Sequence, residues 1–448
     1  MTRWTVLMMC FLMWMPPARS EDWPQWMGQR RDGTWQEEQV MTRFPKSGLE
    51  TVWQMPIGLG FAGPAVADGR VFVTDFVKGS GTLTNNASAR DKVTGRERIL
   101  AFDEATGRQL WVYEYPVSVQ VSYASGPRTT PTVDGDRVYA LGTNGHVAAL
   151  QVKTGELLWS LDLPRAFQTE IPFWGFSSHL LIVDDLLITL AGGDGSTVVA
   201  LDKKTGHERW RALSASEPGY CPPTLVSHAG KQQLLVWHPE SINGLEPESG
   251  RVLWSIPLKA NAGMSLTAPQ KWGDGLFVSG IGTVPTLFKW KGTEVTPQIA
   301  WQAHDGRSLS TGNSTPVVDR GVVYGVDTRG YLIAIEMETG ELLWSTLEPT
   351  TGARPAKYAT AFLVKNHDHY YIFNERGDLI SAKLSRDGYR EIDRTHLIEP
   401  TTRTYNRNVV WVHPAFANGS VFVRNDGEIK RYSLKAKTVG GAEAAPGK

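Results

Sequence analysis

The chain has 448 residues, with 46 Lys and Arg against 46 Asp and Glu, 45 Gly, 17 Trp and only 2 Cys. Balanced charge argues against a general nucleic-acid-binding protein, which needs a basic surface, and an apolar fraction of 41% argues against disorder. Two cysteines exclude a disulfide framework, a paired-CxxC zinc site and a c-type haem. The excess of Trp and Gly is the compositional feature to explain.

Residues 1–20 are predicted to be a cleaved export signal. Arg3 supplies the positive n-region, residues 5–15 are apolar, and Ala18-Arg19-Ser20 is a small-x-small cleavage site. The apolar run is shorter than the roughly 20 residues that a membrane-spanning helix needs. We therefore expect cleavage after Ser20 and an exported chain, periplasmic or secreted, without a transmembrane segment.

One sequence pattern recurs along the chain, with Thr or Ser before a turn Gly and Trp four positions after it. Its copies are AFDEATGRQLW (101–111), ALQVKTGELLW (149–159), ALDKKTGHERW (200–210), GLEPESGRVLW (244–254) and AIEMETGELLW (334–344). Degenerate copies carry Trp53 and Trp301, and successive Trp positions lie 43 to 58 residues apart. That spacing is typical of a four-stranded propeller blade. We expect each repeated Trp to pack between neighbouring blades.

Eight hairpin signals alternate with this pattern, each a short strand, an Asp/Gly/Asn turn and an alternating apolar strand. They predict an all-β fold: a single eight-bladed β-propeller over residues 51–434. Its ring is closed when the N-terminal outer strand (51–57) pairs with the last three strands (413–417, 420–424 and 428–434). Residues 21–50 are expected to pack across one face, residues 76–99 to form a polar insertion, and residues 435–448 to be a disordered tail.

The A-x-D-x-x-T-G-x-x-x-W pattern resembles the PQQ-like (pyrroloquinoline-quinone-type) β-propeller repeat. That family includes quinoprotein alcohol dehydrogenases and BamB-like outer-membrane assembly factors. DWPQWMGQRRDG (22–33) and GPRTTPTVDGDRVYALGTNGHVAAL (126–150) are similar to exported PQQ-binding-like propellers of planctomycete-type bacteria. The resemblance covers nearly all of the chain after the signal. It implies the fold more strongly than the function, because one fold hosts both catalysts and scaffolds.

Two functions remain open at this stage. The first is a non-catalytic binding or scaffold protein of the cell envelope, a monomer that holds a protein partner or a small molecule at a propeller face. The second is a quinone-dependent alcohol or sugar dehydrogenase, which by resemblance would hold PQQ and Ca²⁺ in the central channel. After signal cleavage Cys221 is the one remaining thiol, so the disulfide between adjacent cysteines found in the larger dehydrogenases is excluded.

The segments that enter the innermost strands are expected to meet at the mouth of the channel. They carry aromatic rings together with a few polar groups, a mixture suited to a ligand pocket. The candidate cofactor-binding residues are Arg128, Trp174, His179, Tyr220, Asn313, Lys357, Tyr358, Trp411 and His413. No catalytic residue and no metal ligand is assigned.

Three other motifs are interpreted as structural. Residues 58–63 match GxGxxG, but Pro64 and a strand follow where a dinucleotide site needs a helix. His367-Asp368-His369 is predicted to be a hairpin turn, since further metal ligands are not close by in the sequence. Cys221, followed by two prolines, is expected to be a buried, unreactive thiol.

Overall fold

The computed structural model describes residues 20–303 and 309–436. The predicted export signal (1–20) lies outside these residues except for Ser20, as does most of the predicted tail. Lys435 pairs with Val40 in an isolated bridge. Within the described residues, helix is confined to α1 (Leu163–Phe167) and a short 3₁₀ turn (Asn261–Gly263).

All other regular structure is antiparallel strand. The strands are β1 (Thr51–Pro56), β2 (Ala65–Ala67), β3 (Arg70–Gly81), β4 (Asp91–Asp103), β5 (Gln109–Val121), β6 (Thr132–Asp134), β7 (Arg137–Leu141), β8 (His146–Gln151), β9 (Leu157–Asp162), β10 (Leu181–Val183), β11 (Leu186–Leu190), β12 (Val198–Asp202), β13 (Glu208–Ala212), β14 (Thr224–His228), β15 (Lys231–Trp237), β16 (Ser241–Leu245) and β17 (Val252–Pro257). They continue with β18 (Gln270–Trp272), β19 (Gly275–Gly280), β20 (Thr283–Lys289), β21 (Gln298–Gln302), β22 (Val317–Asp319), β23 (Val322–Val326), β24 (Leu332–Glu336), β25 (Leu342–Thr346), β26 (Ala361–Asn366), β27 (His369–Asn374), β28 (Asp378–Leu384), β29 (Tyr389–His396), β30 (Thr402–Thr404), β31 (Arg407–Val409), β32 (Ala415–Ala417), β33 (Ser420–Arg424) and β34 (Glu428–Ser433).

These strands form eight four-stranded sheets, called blades 1 to 8 below, and one separate hairpin, β30–β31. Blades 1 to 7 each take four consecutive strands, starting with β2–β5 and ending with β26–β29. Blade 8 joins the two ends of the chain, since β1 pairs antiparallel with β34 and the sheet continues through β33 to β32. Strand β2 contacts both β6 and β32, so blade 1 lies between blades 2 and 8. The architecture is all-β and fits the predicted eight-bladed propeller.

Six of the seven repeated Trp residues donate a hydrogen bond to the next blade, and Trp254 donates instead to Gln233 of its own blade. The Trp111 Nε1–H of blade 1 donates to the Val152 carbonyl of blade 2 at 2.9 Å, and its ring covers the turn Gly155, where an added Cβ would lie 2.5 Å from the indole. Trp53 of blade 8 makes the same two contacts with Glu104 and with Gly107 of blade 1. This confirms the structural role predicted for the repeated Trp. The turn must be Gly, because a side chain there would occupy the place of the ring.

The outermost pair of strands in every blade contains a register shift. In the regular copies it lies beside the partner of the repeated Trp, for example between Ala149 and Leu150. A bulge of this kind raises the local twist of a strand pair. The shift thus belongs to the repeated unit in the same way as the turn Gly and the Trp.

Residues 76–99 differ from the expected polar insertion. Strands β3 and β4 continue through most of them and, with β5, form a three-stranded extension of blade 1, so that only residues 82–90 are a loop. The reason is a small apolar core under the extension, which includes Phe76, Val93 and Val119. These residues are widely spaced in a polar stretch, so their common core was not evident in the sequence.

The three motifs interpreted as structural lie where the sequence predicted. Residues 58–63 lead into β2, and no helix follows them. His367 and Asp368 form the turn between β26 and β27. Cys221 is 2% exposed, and burial raises the pKa of its thiol.

Candidate functional site: an aromatic cavity between the inner strands

A cavity of about 630 Å³ lies where the chain enters the innermost strands. The loops before β6, β10, β14, β22, β26 and β32 all contribute to its wall. They converge because each blade begins with its innermost strand. Every residue predicted for the channel mouth lines this one cavity, namely Arg128, Trp174, His179, Tyr220, Asn313, Lys357, Tyr358, Trp411 and His413. Their function as a binding site stays a prediction.

Trp26 from the N-terminal segment contacts two histidines of the cavity wall without lining the cavity itself. Its ring is 3% exposed and stacks on His179 with centroids 4.8 Å apart. Its Nε1–H donates to His413 Nε2 at 3.4 Å. A smaller cavity of about 120 Å³ separates Trp26 from the main one and shares His179, Tyr220, Asn313 and His413 with it.

The segment 21–50 reaches the innermost strands of several blades, which holds Trp26 in place. Backbone and side-chain hydrogen bonds join it to blades 1, 2, 3 and 7. These bonds are Trp23 N to Val66 O (2.9 Å), Val133 N to Pro24 O (2.8 Å), Arg31 Nη1 to Leu180 O (2.8 Å) and Trp35 N to Lys365 O (2.8 Å). The segment therefore connects blades 1, 2, 3 and 7 close to Trp26.

Both histidines of the cavity are neutral hydrogen-bonding groups. His179 Nδ1 accepts the backbone N–H of Thr130 at 3.1 Å, so the proton of the neutral ring is on Nε2. Burial holds the pKa of His179 well below its usual value, with smaller effects from His413 and Arg31. Burial also lowers the pKa of His413 to about 3. Because His413 Nε2 accepts from Trp26, each ring keeps one N–H to donate.

Two cations line the cavity. Arg128 donates to the backbone carbonyls of Ser122 (2.8 Å), Tyr123 (2.5 Å) and Gly126, and burial lowers its pKa to about 10. The ammonium of Lys357 lies 5.4 Å from the ring centre of Tyr358. Among the described residues neither cation forms an ion pair within 4 Å. The nearby Glu97 carboxylate raises the pKa of Arg128, against the larger effect of burial.

Three tyrosines of the cavity have left-handed backbones. Tyr123, Tyr358 and Tyr405 have φ of 53°, 55° and 46°, a region unusual for residues with bulky side chains. Each such residue costs roughly 1–2 kcal/mol of backbone strain. Tyr405 and Asn406 (φ 60°) form the two-residue turn of the β30–β31 hairpin, which places both over the cavity. Strain of this kind persists where surrounding structure fixes it, and such residues cluster at ligand-binding sites.

Sequence reasoning missed several residues of the wall. Phe61, Tyr123 and the hairpin residues 404–406 line the cavity, as do residues 85–88 of the loop between β3 and β4. The hairpin carried a signal, since two short β-prone runs, TRT and RNV, flank a two-residue turn. It was not found because it lies outside the repeat.

The wall does not fit a quinone held by calcium. Calcium takes six to eight oxygen ligands, with carboxylates prominent among them, whereas no Asp or Glu among the described residues lines the cavity. Glu375 lies against the wall but is occupied by Arg407 (2.7 Å) and by the Trp411 Nε1–H (2.9 Å). Within the same residues there is no cluster of three or more His, Cys, Asp or Glu suited to a metal.

The fold and its repeats define a class, the PQQ-like repeat propellers. The family model described as "Outer membrane protein assembly factor BamB" matches residues 95–346 and 240–430, and the chain belongs to this family. A relative of that name from Moranella endobia is 25% identical over 280 residues, which cover 58% of this chain and 64% of the relative. One from Alteromonas naphthalenivorans is 27% identical over 247 residues, 48% and 54% of the two chains. The chain thus spans less than two thirds of these relatives.

The solved structure of quinohemoprotein alcohol dehydrogenase from Comamonas testosteroni is similar in fold. The two superpose with a TM-score of 0.58 over 93% of this chain and 81% of that one, at 12% identity. This likeness concerns the fold alone. None of the helices in the described residues is long and apolar enough to cross a membrane.

Proposed function

We propose that this chain is an exported, non-catalytic binding or scaffold protein of the cell envelope, similar to the outer membrane protein assembly factors. The family match and the predicted signal in residues 1–20 support this proposal. In it, the eight blades close into one ring, the N-terminal segment seals one end, and the cavity at the other end binds a ligand. A face of the ring is left for a protein partner.

The composition of the cavity wall carries the non-catalytic part of the proposal. Seven aromatic rings other than histidine line it, together with two cations and four Asn side chains, while both histidines are held neutral by burial. A general base needs a pKa near the working pH, and no carboxylate among the described residues reaches the cavity. Such a wall can bind and orient a molecule but offers no group to remove a proton from an alcohol.

The quinone-dependent dehydrogenase is the weaker alternative. Its support is the likeness in fold to the quinohemoprotein enzyme, and one fold hosts unrelated functions. The donor set that PQQ with Ca²⁺ would need is not found in the described wall. We therefore derive no reaction from it.

Three measurements on the full chain test the proposal. Tagged protein is produced in an envelope-bearing bacterium, the mature N-terminus is read by mass spectrometry, and partners are crosslinked in intact envelopes. We expect a chain that starts at Glu21 and crosslinks to proteins of outer-membrane assembly. PQQ with Ca²⁺ is then added, and dye reduction with alcohols and sugars is followed. Dye reduction above the blank, or retention in the cytoplasm, would overturn the proposal.

A further inference from the structure

We infer that the cavity binds an acidic sugar, a hydroxyl-bearing ring that carries a carboxylate. This inference rests on the proposed binding function and specifies its ligand. Three features of the wall support it independently: unpaired positive charge, aromatic faces held at a cost in backbone strain, and a set of side-chain amides.

The charge of the wall selects an anion. Arg128 and Lys357 line the cavity, and no acidic side chain among the described residues does. The guanidinium of Arg128 is directed by backbone carbonyls rather than by a carboxylate. Arg and Lys are the usual partners of carboxylates. The Glu97 carboxylate acts on the buried Arg128 but lies outside the cavity wall, and Lys357 is exposed. A ligand carboxylate would therefore be the acidic group that meets both cations inside the cavity.

The aromatic faces select a ring. The Lys357 ammonium lies 5.4 Å and 5.5 Å from the ring centres of Tyr358 and Tyr405, so cation and aromatic faces belong to one subsite. Tyr405 is also 6.5 Å from Trp411, which in turn is 5.8 Å from Tyr123. These rings form a continuous apolar wall beside the charge. Three of them keep strained backbones, which a turn containing Asn or Gly would avoid.

The amides distinguish a sugar from a flat aromatic acid. Asn85, Asn86, Asn313 and Asn406 line the same cavity. An amide both donates and accepts, as a sugar hydroxyl does, so it can satisfy both roles of a hydroxyl. Asn85 and Asn86 already accept from Ser125 (3.2 Å) and from the Ser88 N–H (2.9 Å) through their Oδ1 atoms, so their NH₂ groups and the amides of Asn313 and Asn406 face the ligand. A sugar has more hydroxyls than an aromatic acid to meet these groups. The volume of about 630 Å³ lies within the usual range for small-molecule sites.

The test uses calorimetry of the purified full chain with trigalacturonate, its methyl ester and PQQ. The ester keeps the rings and hydroxyls and removes the charge. We expect trigalacturonate to bind at least tenfold more tightly than the ester, with an affinity that falls as salt rises. Equal binding of acid and ester, no binding of the acid, or tighter binding of PQQ would each overturn the inference.

Lys357→Gln is the variant that carries the test, because its side chain is exposed to the cavity and forms no ion pair in the described structure. It should weaken trigalacturonate about tenfold and leave the ester unchanged, since a charge-assisted hydrogen bond contributes roughly that much. Lys291→Gln, at an exposed turn of blade 5, is the matched control and should bind as the parent does. Equal affinities in the two variants would contradict the inference. Arg128→Gln is less suitable, because its guanidinium also holds three loop carbonyls.

Failure of this inference is distinguishable from failure of the proposed function. Localisation and crosslinking in the envelope do not involve the sugar. If the chain is exported and crosslinks to assembly proteins but does not bind trigalacturonate, only the assignment of the ligand is wrong.

Discussion

The contact between a repeated Trp and the turn Gly of the next blade can be tested at Gly206. The turn of blade 3 packs under Trp159 of blade 2, whose Nε1–H donates to the Lys203 carbonyl at 3.1 Å. A Cβ added at Gly206 would lie 2.6 Å from Cε3 of the indole, closer than such atoms approach in proteins. Gly206→Ala should therefore force the two blades apart or displace the ring.

The magnitude can be separated into two parts, because Gly206 has a matched control. Gly206 and Gly230 both have φ of +75°, but no heavy atom lies within 4 Å of a Cβ built at Gly230. The strain of Ala at this φ costs about 1 kcal/mol at either position. Overpacking against Trp159 adds about 1–3 kcal/mol at Gly206. We expect Gly206→Ala to lower the free energy of unfolding by about 2–4 kcal/mol and Gly230→Ala by about 1 kcal/mol.

Urea denaturation followed by Trp fluorescence compares the two variants under identical conditions. A double variant tests the cause directly. Trp159→Ala removes the ring that the new methyl group would meet, and Gly206→Ala is then added to Trp159→Ala and compared with Trp159→Ala alone. In that background Gly206→Ala should cost no more than Gly230→Ala does in the parent. Equal losses for the two glycine variants in the parent would refute the assignment of Gly206 to a contact between blades.

Two further predictions concern ionisable groups. Cys221 is 2% exposed, and burial raises the pKa of its thiol. Ellman's reagent should therefore not react with the folded exported chain and should titrate one thiol in urea. Rapid reaction of the native protein would contradict this prediction. Burial favours a raised pKa for Asp319, but bonds from Lys365 (2.6 Å) and the Tyr370 hydroxyl (3.0 Å) lower it below its usual value of 3.8. The ionised Asp319 therefore stabilises the fold fully above about pH 4, and this contribution is lost as the pH falls through the lower pKa of the folded state. Asp319→Asn should make the free energy of unfolding depend less on pH in the acid range, as measured by denaturation between pH 2 and 6.

Much of the fold could be predicted from the sequence because its information is local. Each blade repeats an Asp/Gly/Asn turn, a Thr/Ser-Gly turn and a Trp at fixed spacing, and turn chemistry acts over a few residues. The position of Trp111 between blades could be predicted before the structure, since a Trp recurs at the same place in other units. Its contact with Gly155 is seen only in the structure. The extension of blade 1 could not be predicted, because its core residues Phe76, Val93 and Val119 have no counterpart in other blades.

The candidate site was predicted in part for the same reason. Residues such as Arg128 and Trp411 were found because each precedes an innermost strand, and that rule follows from the repeat. Tyr405 escaped it, since its hairpin is an unrepeated addition between blades 7 and 8. The absence of acidic side chains from the described wall could not be predicted from the sequence. Glu375 lies against the wall, but its carboxylate accepts from Arg407 and from the Trp411 Nε1–H, and only the structure shows these contacts.

The sequence by itself predicted the number of blades and the pairing of β1 with β34, because it contains eight hairpin signals, an N-terminal outer strand without a hairpin and a C-terminal hairpin without an outer strand. Only the tertiary structure decided what the space between the blades contains. Trp26 reaches His413 across 387 positions of the chain, and Tyr123 meets Thr404 across 281. Contacts at such separations have no local pattern, since they depend on where the blades place each loop. The charge of the cavity wall and its strained tyrosines follow from that placement.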